Sequence, residues 1–493
     1  WFPSKHPFEP GDHPVTLQTK PPTIMCRQVV AWRLRRAWAA QLVLWLVLLV
    51  PAHAQFQYVI ENGKVTITGY SGPGGAVTIP DTIASLPVTR IGDFAFELKG
   101  NLTSMMIGSG VTNIGYGAFH FCPGLKAIEV DSGNPAYRSV EGVLFNKDQT
   151  TLIQHPEGLG GSYIVPDTVI RIGDAAFLEC DLTGVILGDQ VAVIGNAAFQ
   201  YCTLLSTLSL GSGVTRIGDG AFLGCSLLTG LTIPDSVTDL GDQVFSYCAR
   251  LTDVTWGRSV GRVGNEAFAN CISLKSVTVP DSVTTIGDYA FFSCTGLSDA
   301  TLGAGVARIG ELAFGGCTSL ASLDLGRRLT VIGMGAFNSC SSLSNVTVPN
   351  TVTHIADYAF GACRNLTGIY FRGGVPDDPG GLIFADSDLA VVYYLPGTTG
   401  WGPTFSGRST AGWRLPFPVI LSNGPDFGIT AEGFGFWISW ATNGSVVVEA
   451  SPGLDVPAWT PVSTNTLNRG STYFSDTEEN RHAARLYRLI TLN

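Results

Sequence analysis

The sequence predicts a repeat solenoid, a β-rich α/β chain with a short strand and a helical turn in each repeat, followed by a small C-terminal β module. Three observations predict it. A Phe recurs at Phe96, Phe119, Phe177, Phe199, Phe222, Phe245, Phe268, Phe291, Phe314, Phe337 and Phe360, in steps of 23 residues from Phe199 onward. A Cys stands three residues after ten of these eleven Phe, from Cys122 and Cys180 to Cys202, Cys225, Cys248, Cys271, Cys294, Cys317, Cys340 and Cys363. Apolar and polar residues also alternate once per period, as in Val277-Thr278-Val279. A fixed period of this length marks a solenoid, because one unit cannot bury its apolar face without a neighbour.

The unit Leu274–Leu297, LKSVTVPDSVTTIGDYAFFSCTGL, shows what each position is for. The alternation over Ser276–Val279 is a half-buried strand. Pro280 removes a backbone donor and ends it, and Asp281-Ser282 turns the chain. Val283 and Ile286 give a second, shorter extended segment. Asp288 then precedes Tyr-Ala-Phe-Phe-Ser-Cys, an arrangement that predicts an N-cap on a helical turn. Phe291 and Cys294 share a face of such a turn. Stacking at about 4.8 Å makes each position a ladder, with the Phe ladder as the main core. Phe96 lies at the end of the column and has Lys99 in the Cys place, so it is expected to contribute less than Phe268.

The pattern L-x-x-V-x-V-P-x-x-V-x-x-I-G-x-x-A-F-x-x-C resembles the BspA-type leucine-rich repeat. That resemblance implies a right-handed leucine-rich-repeat superhelix used for binding by surface and secreted proteins.

Ahead of the repeats, residues 1–24 carry six Pro and no periodicity and read as an untranslated or disordered extension. Residues 25–54 read as a signal peptide: Arg27, Arg33, Arg35 and Arg36, an apolar run over 37–50, then Ala52-His53-Ala54, with cleavage expected after Ala54. No later stretch is apolar enough to span a bilayer. The chain carries 29 Lys+Arg and 39 Asp+Glu, a net of −10. Loss of residues 1–54 removes six basic and two acidic residues, leaving 23 and 37 and a net of −14. That balance disfavours nucleic acid and anionic lipid as partners.

Residues 55–90 form an N-terminal cap, with a hairpin across Glu61-Asn62-Gly63-Lys64. The array proper is 91–370, with a divergent unit at 123–165 that contains a hairpin around Asn146-Lys147-Asp148. Residues 371–415 are a terminal repeat, 416–425 a linker and 426–493 a β module without the period.

Each chemical candidate has a plainer alternative. Eleven Cys in an exported chain suggest disulfides, but equivalent Cys of stacked units have parallel Cβ vectors, which favours a buried free thiol ladder. No CxxC occurs and the seven His are scattered, so no metal or other cofactor is expected. The acidic column Asp93, Asp174, Asp219, Asp242, Asp288, Glu311 and Asp357, with Asn196 and Asn265 in line, could bind calcium. Its plainer role is capping, each residue on its own turn, with Arg90, Arg171, Arg216, Arg262 and Arg308 paired alongside. The outward strand column includes Thr232, Thr255, Thr278, Thr301, Thr347 and Tyr370 and is the candidate ligand surface. Its companion Gly230, Asp253, Ser276, Asp299 and Ser322 breaks any second Thr rank. Trp256, Trp401, Trp413, Trp437, Trp440 and Trp459 are candidates for stacking on sugars or for core packing.

No nucleophile elbow, phosphate loop or zinc motif stands out. The expected function is non-enzymatic: a secreted or cell-surface protein presenting its repeats to an extracellular protein or glycan, in adhesion or attachment. A structural spacer is the alternative, and an unrecognised catalytic site a weaker third.

Overall fold

The computed structural model describes residues 55–415 and, over 417–491, all but 422–426, 431–432, 441–443, 453–457, 469 and 477–484. The expected signal peptide, the extension before it and Cys26 lie outside the described residues.

Every full unit contributes a strand of about three residues and a second of two, which pair in parallel with their counterparts one period on in several consecutive sheets. Ser276–Thr278 pairs with Asp299–Thr301, and Thr285–Ile286 with Arg308–Ile309. Short strands suffice because the apolar side chains point inward: Val277, Val279, Val283 and Ile286 are buried while Thr278 faces out. The two-residue strands line up as four in a seven-stranded sheet completed by longer strands and five in a second sheet.

The expected helical turn around each Phe is not there, and the described residues contain no α-helix. Two residues per unit take left-handed backbone angles, two before and two after the Phe. Tyr289 and Ser293 flank Phe291 at φ of 58° and 56°, and Glu266 and Asn270 flank Phe268 at 53° and 61°. A helix cannot continue through such residues. What replaces it is an alternation of hydrogen bonds. The amides of Tyr289, Phe291 and Ser293 donate to Glu311, Ala313 and Gly315 of the next unit, and those between close local turns. Amides committed to the next unit cannot donate within a helix, so the stacking itself excludes the helix. Phe and Cys nevertheless share an inward face, both fully buried.

Between Phe177 and Phe360 consecutive rings stack at 4.5 to 5.4 Å between centroids. Two further residues belong to this column that sequence reasoning missed. Phe384 stacks on Phe360 at 6.2 Å, and Ser387 fills the Cys place beneath it. In the divergent unit His155 takes the Phe place, stacked on Phe177 at 5.1 Å and buried.

At the N-terminal end, Phe56–Glu61 and Lys64–Tyr70 pair antiparallel across Asn62 and Gly63, whose φ of 51° and 71° suit a tight hairpin. Phe56 and Tyr70 cover Phe96 at 6.4 and 5.5 Å, so this end of the column is not open to water. The divergent unit is a three-stranded antiparallel meander, Tyr137–Val140, Val143–Asn146 and Thr151–Gln154, whose last strand rejoins the parallel sheet. At the C-terminal end Gly433–Ser439 and Ser445–Ser451 anchor two antiparallel sheets around Phe436, Ile438, Val446, Val448 and Phe474. Val419–Leu421, within the expected linker, is a strand of the first of these sheets.

Candidate binding face

The acidic column comes first, because the structure corrects its role. From Asp93 to Asp288 each carboxylate or amide oxygen accepts the backbone amide of the equivalent residue one unit later, not an amide of its own turn, whereas Glu311 accepts the Tyr289 hydroxyl and Asp357 the Leu382 amide. Asp174 Oδ1 accepts from Asn196 at 3.0 Å, Asn196 from Asp219 at 3.0 Å, and Asp219 from Asp242 at 2.9 Å. Asp242, Asn265 and Asp288 continue the chain to Glu311 at 2.8, 2.9 and 2.8 Å. Asn serves as well as Asp because only an acceptor oxygen is needed. The Gly that precedes this position in every unit but that of Ala356 is explained too: a Cβ on Gly218 would stand 2.5 Å from Asn196 Oδ1. These oxygens tie units together, and among the described residues no cluster is arranged to hold a metal ion. The Arg column only partly follows expectation. Arg90 and Arg171 pair within their own units, at 3.6 and 3.2 Å, whereas Arg262 reaches Asp242 of the preceding one at 3.0 Å. Such exposed pairs contribute about 0–1 kcal/mol each.

The ten repeat thiols are free and buried. They do more than fill space. Cys294 Sγ donates to the carbonyl of Phe268 in the preceding unit at 3.1 Å, and Cys271, Cys317 and Cys340 do the same to Phe245, Phe291 and Phe314 at 3.2, 3.2 and 3.3 Å. Ser387 makes the equivalent bond to Phe360 at 2.7 Å. Burial pushes Cys248 and Cys294 up to about 12, far from a reactive thiolate.

The outward strand column is brought together in register within three successive sheets. Thr232 lies beside Thr255, Thr278 beside Thr301, and Thr301 beside Asp324. Thr347 is followed by Tyr370 and then Tyr393. Thr232, Thr255 and Thr278 are exposed, the last three partly so. At this end the column turns aromatic: Tyr370 stacks on Tyr393 at 4.9 Å and meets Trp413 at 5.0 Å.

Two adjoining cavities open on that end. One, of about 500 Å³, is lined by Asp324, Arg327, Thr347, Asn350 and Arg372. The other, of about 260 Å³, shares Asn350 and Arg372 and adds Leu395, Trp413 and the strand at Val419. Arg327 and Arg372 are exposed, and among the described residues neither forms an ion pair.

The other tryptophans are committed elsewhere. Trp256 packs on Phe268 at 5.4 Å, and Trp401 stacks on Tyr394 at 5.2 Å in the end cap. Trp440 donates its ring N–H to Leu415 O and packs against the module core. Trp437 meets Tyr473 at 5.5 Å, and Arg488 covers Trp459 at 4.6 Å.

A third cleft, of about 210 Å³, lies at the divergent unit and is lined by Tyr116, His120, Gln154 and Asp174. In the same divergent unit, Glu157 is buried and its Oε2 has no hydrogen-bond partner among the described residues; burial, then the Glu179 carboxylate, push it up to about 7.

The repeat pattern and this stacking find their match in one family. The BspA type leucine rich repeat region matches in six copies, over residues 76–159, 161–275 and 261–377. The chain belongs to that family. Among solved structures, a leucine-rich repeat protein of Bacteroides ovatus is similar at 25% identity, covering 69% of this chain and 93% of its own, with a TM-score of 0.48. The pneumococcal vaccine antigen PcpA is similar at 19% identity, over 69% of this chain and 86% of its own, with a TM-score of 0.42. A leucine rich cell surface protein of Faecalibacterium prausnitzii is similar at 23%, over 69% and 93%, with a TM-score of 0.34. No curated protein matches. No helix among the described residues is long and apolar enough to cross a membrane.

Proposed function

We propose that this BspA-type repeat protein is an exported, non-enzymatic binding protein, and that its outward strand face engages an extracellular protein or glycan. The observation that carries the reading is the contrast between the two sides of one ladder. Inward positions are filled by stacked Phe, Val and Ile, while the outward column from Thr232 to Tyr393, carried by three successive sheets, is solvated and ends in aromatic rings beside two cavities. Nothing in the core needs those exposed side chains. Export follows from the Ala52-His53-Ala54 signature, with Gln55 as the new N-terminus, and surface attachment is the setting in which such a face is useful.

The test is a screen of extracellular matrix proteins and glycans against the whole exported chain. A saturable ligand should raise the melting temperature, by about 2.7 kcal/mol of added stability at a hundredfold excess over Kd. A chain that no partner stabilises would be a spacer, and the binding reading would fall. N-terminal sequencing that began anywhere upstream of Gln55 would remove the cleavage site from the reading.

A further inference from the structure

We propose that the groove at the C-terminal end of the solenoid binds an anionic saccharide, with an acidic sugar's carboxylate held by Arg372 and Arg327 and a ring face laid on Trp413. This rests on the binding reading above and names the ligand class and the place.

Four observations converge on it. First, the cavities of about 500 and 260 Å³ share Asn350 and Arg372, so they form one continuous groove of the size that holds a small ligand. Second, Arg327 and Arg372 are the groove's cations, exposed and without ion-pair partners among the described residues. In a chain of net charge −10, two free guanidinium groups on one concave surface set a local field against the overall one. A guanidinium presents a planar fork that matches a carboxylate in two parallel hydrogen bonds.

Third, Trp413 lines the same groove and packs at a tilt against Tyr370 at 5.0 Å, which in turn stacks on Tyr393 at 4.9 Å. An amphipathic ring held rigid in this way provides a face for the C–H surface of a sugar at little entropic cost. Fourth, spacing connects the two chemistries. Tyr370 lies on the strand Gly368–Phe371 and Arg372 follows directly on its last residue, so the aromatic cluster and the guanidinium are two residues apart in the chain. Asn350 and Thr347 line the larger cavity with neutral hydrogen-bonding groups, and the Asp324 carboxylate in the same lining can accept from hydroxyls. A polyanion such as nucleic acid would meet only two cations here, and the Asp324 charge beside them.

Calorimetric titration of the whole chain with a galacturonate hexamer and with a neutral glucose hexamer tests the assignment. The acidic hexamer should bind at least about tenfold more tightly, and the advantage should shrink as salt rises from about 50 to 500 mM. Arg372→Gln, at an exposed position with no ion pair to lose, should remove about tenfold of the affinity while leaving the melting temperature in place. Trp413→Ala should weaken both hexamers together. Equal binding of the two hexamers, or an Arg372→Gln protein that binds the acidic one as before, would overturn the proposal. A protein or neutral glycan whose binding is abolished by Thr255→Lys and untouched by Arg372→Gln would overturn the groove and leave the broader binding reading standing.

Discussion

The Cys of each unit is the residue whose identity the fold explains most closely. Its sulfur is small enough for a position fully closed to water, and its S–H satisfies a carbonyl of the unit before it. Ser387 holds the same place with a shorter bond of 2.7 Å, so the position selects a small donor and not sulfur as such. Cys294→Ser should therefore be milder than Cys294→Val, which loses the donor and, being bulkier, crowds the column at a cost of about 1–3 kcal/mol. Urea melts of the two variants decide it, and a Val variant as stable as the Ser variant would count against the hydrogen bond. The same burial predicts that the ten repeat thiols stay silent toward a thiol reagent in the folded chain and all react once it is unfolded. Fewer titratable thiols under non-reducing denaturing conditions would mean disulfides.

At the scale of the element, the divergent unit interrupts the Phe column with an imidazole. Burial pushes His155 down to about 4 from an ordinary 6.5. The unfolded chain then takes up a proton below 6.5 that the folded chain refuses until about 4, so stability falls as pH drops through that window. Glu157 works in the opposite direction. Its carboxyl, pushed up to about 7 from 4.5, keeps its proton in the folded chain while the unfolded chain releases it, so stability falls as pH rises through that range. His155→Phe should remove only the first dependence. Its stability advantage over the parent chain should grow steadily from pH 6.5 to 4, and parallel pH profiles would show that His155 is not buried neutral.

On the scale of the whole molecule, stability in a stacked array is local plus nearest-neighbour. Phe268 sits between Phe245 at 5.4 Å and Phe291 at 5.3 Å, and Phe268→Ala should cost about 3–5 kcal/mol by leaving a cavity that both rings face. The sequence suggests that Phe96 matters less, as the last ring of the column. The structure removes that distinction, because Phe56 and Tyr70 close over it and it is as fully buried as Phe268. Phe96→Ala should thus cost a comparable amount. The two should differ in kind: the central lesion splits the denaturant melt into two steps, and the terminal one frays the N-terminal end. A Phe268→Ala chain losing less than about 1 kcal/mol would mean that the column is not the core.

Period, strand, turn and the inward Phe and Cys were legible in the sequence by itself, because each depends on one residue type returning at one spacing. Alternation around Thr278 fixed which side of the strand faces water, and Pro280 fixed where it stops. Hydrogen bonds between units were not legible. Asp288 before a compact apolar run has the local signature of a helix cap, and nothing within 23 residues reveals that its oxygen serves the amide of Glu311 in the next unit. The Phe segment likewise has helical spacing, and only stacking shows that its amides go to the neighbour, with Tyr289 and Ser293 left-handed to let them. His155, Phe384 and Ser387 were hidden because they keep the place in the column while departing from the spacing or the residue type. The groove could not be read at all: Arg327, Asn350, Arg372 and Trp413 come from four different turns of the chain and meet only where stacked units and the terminal β module close around them. A repeat determines by its sequence what each unit buries, whereas what adjacent units share is decided only when they stack.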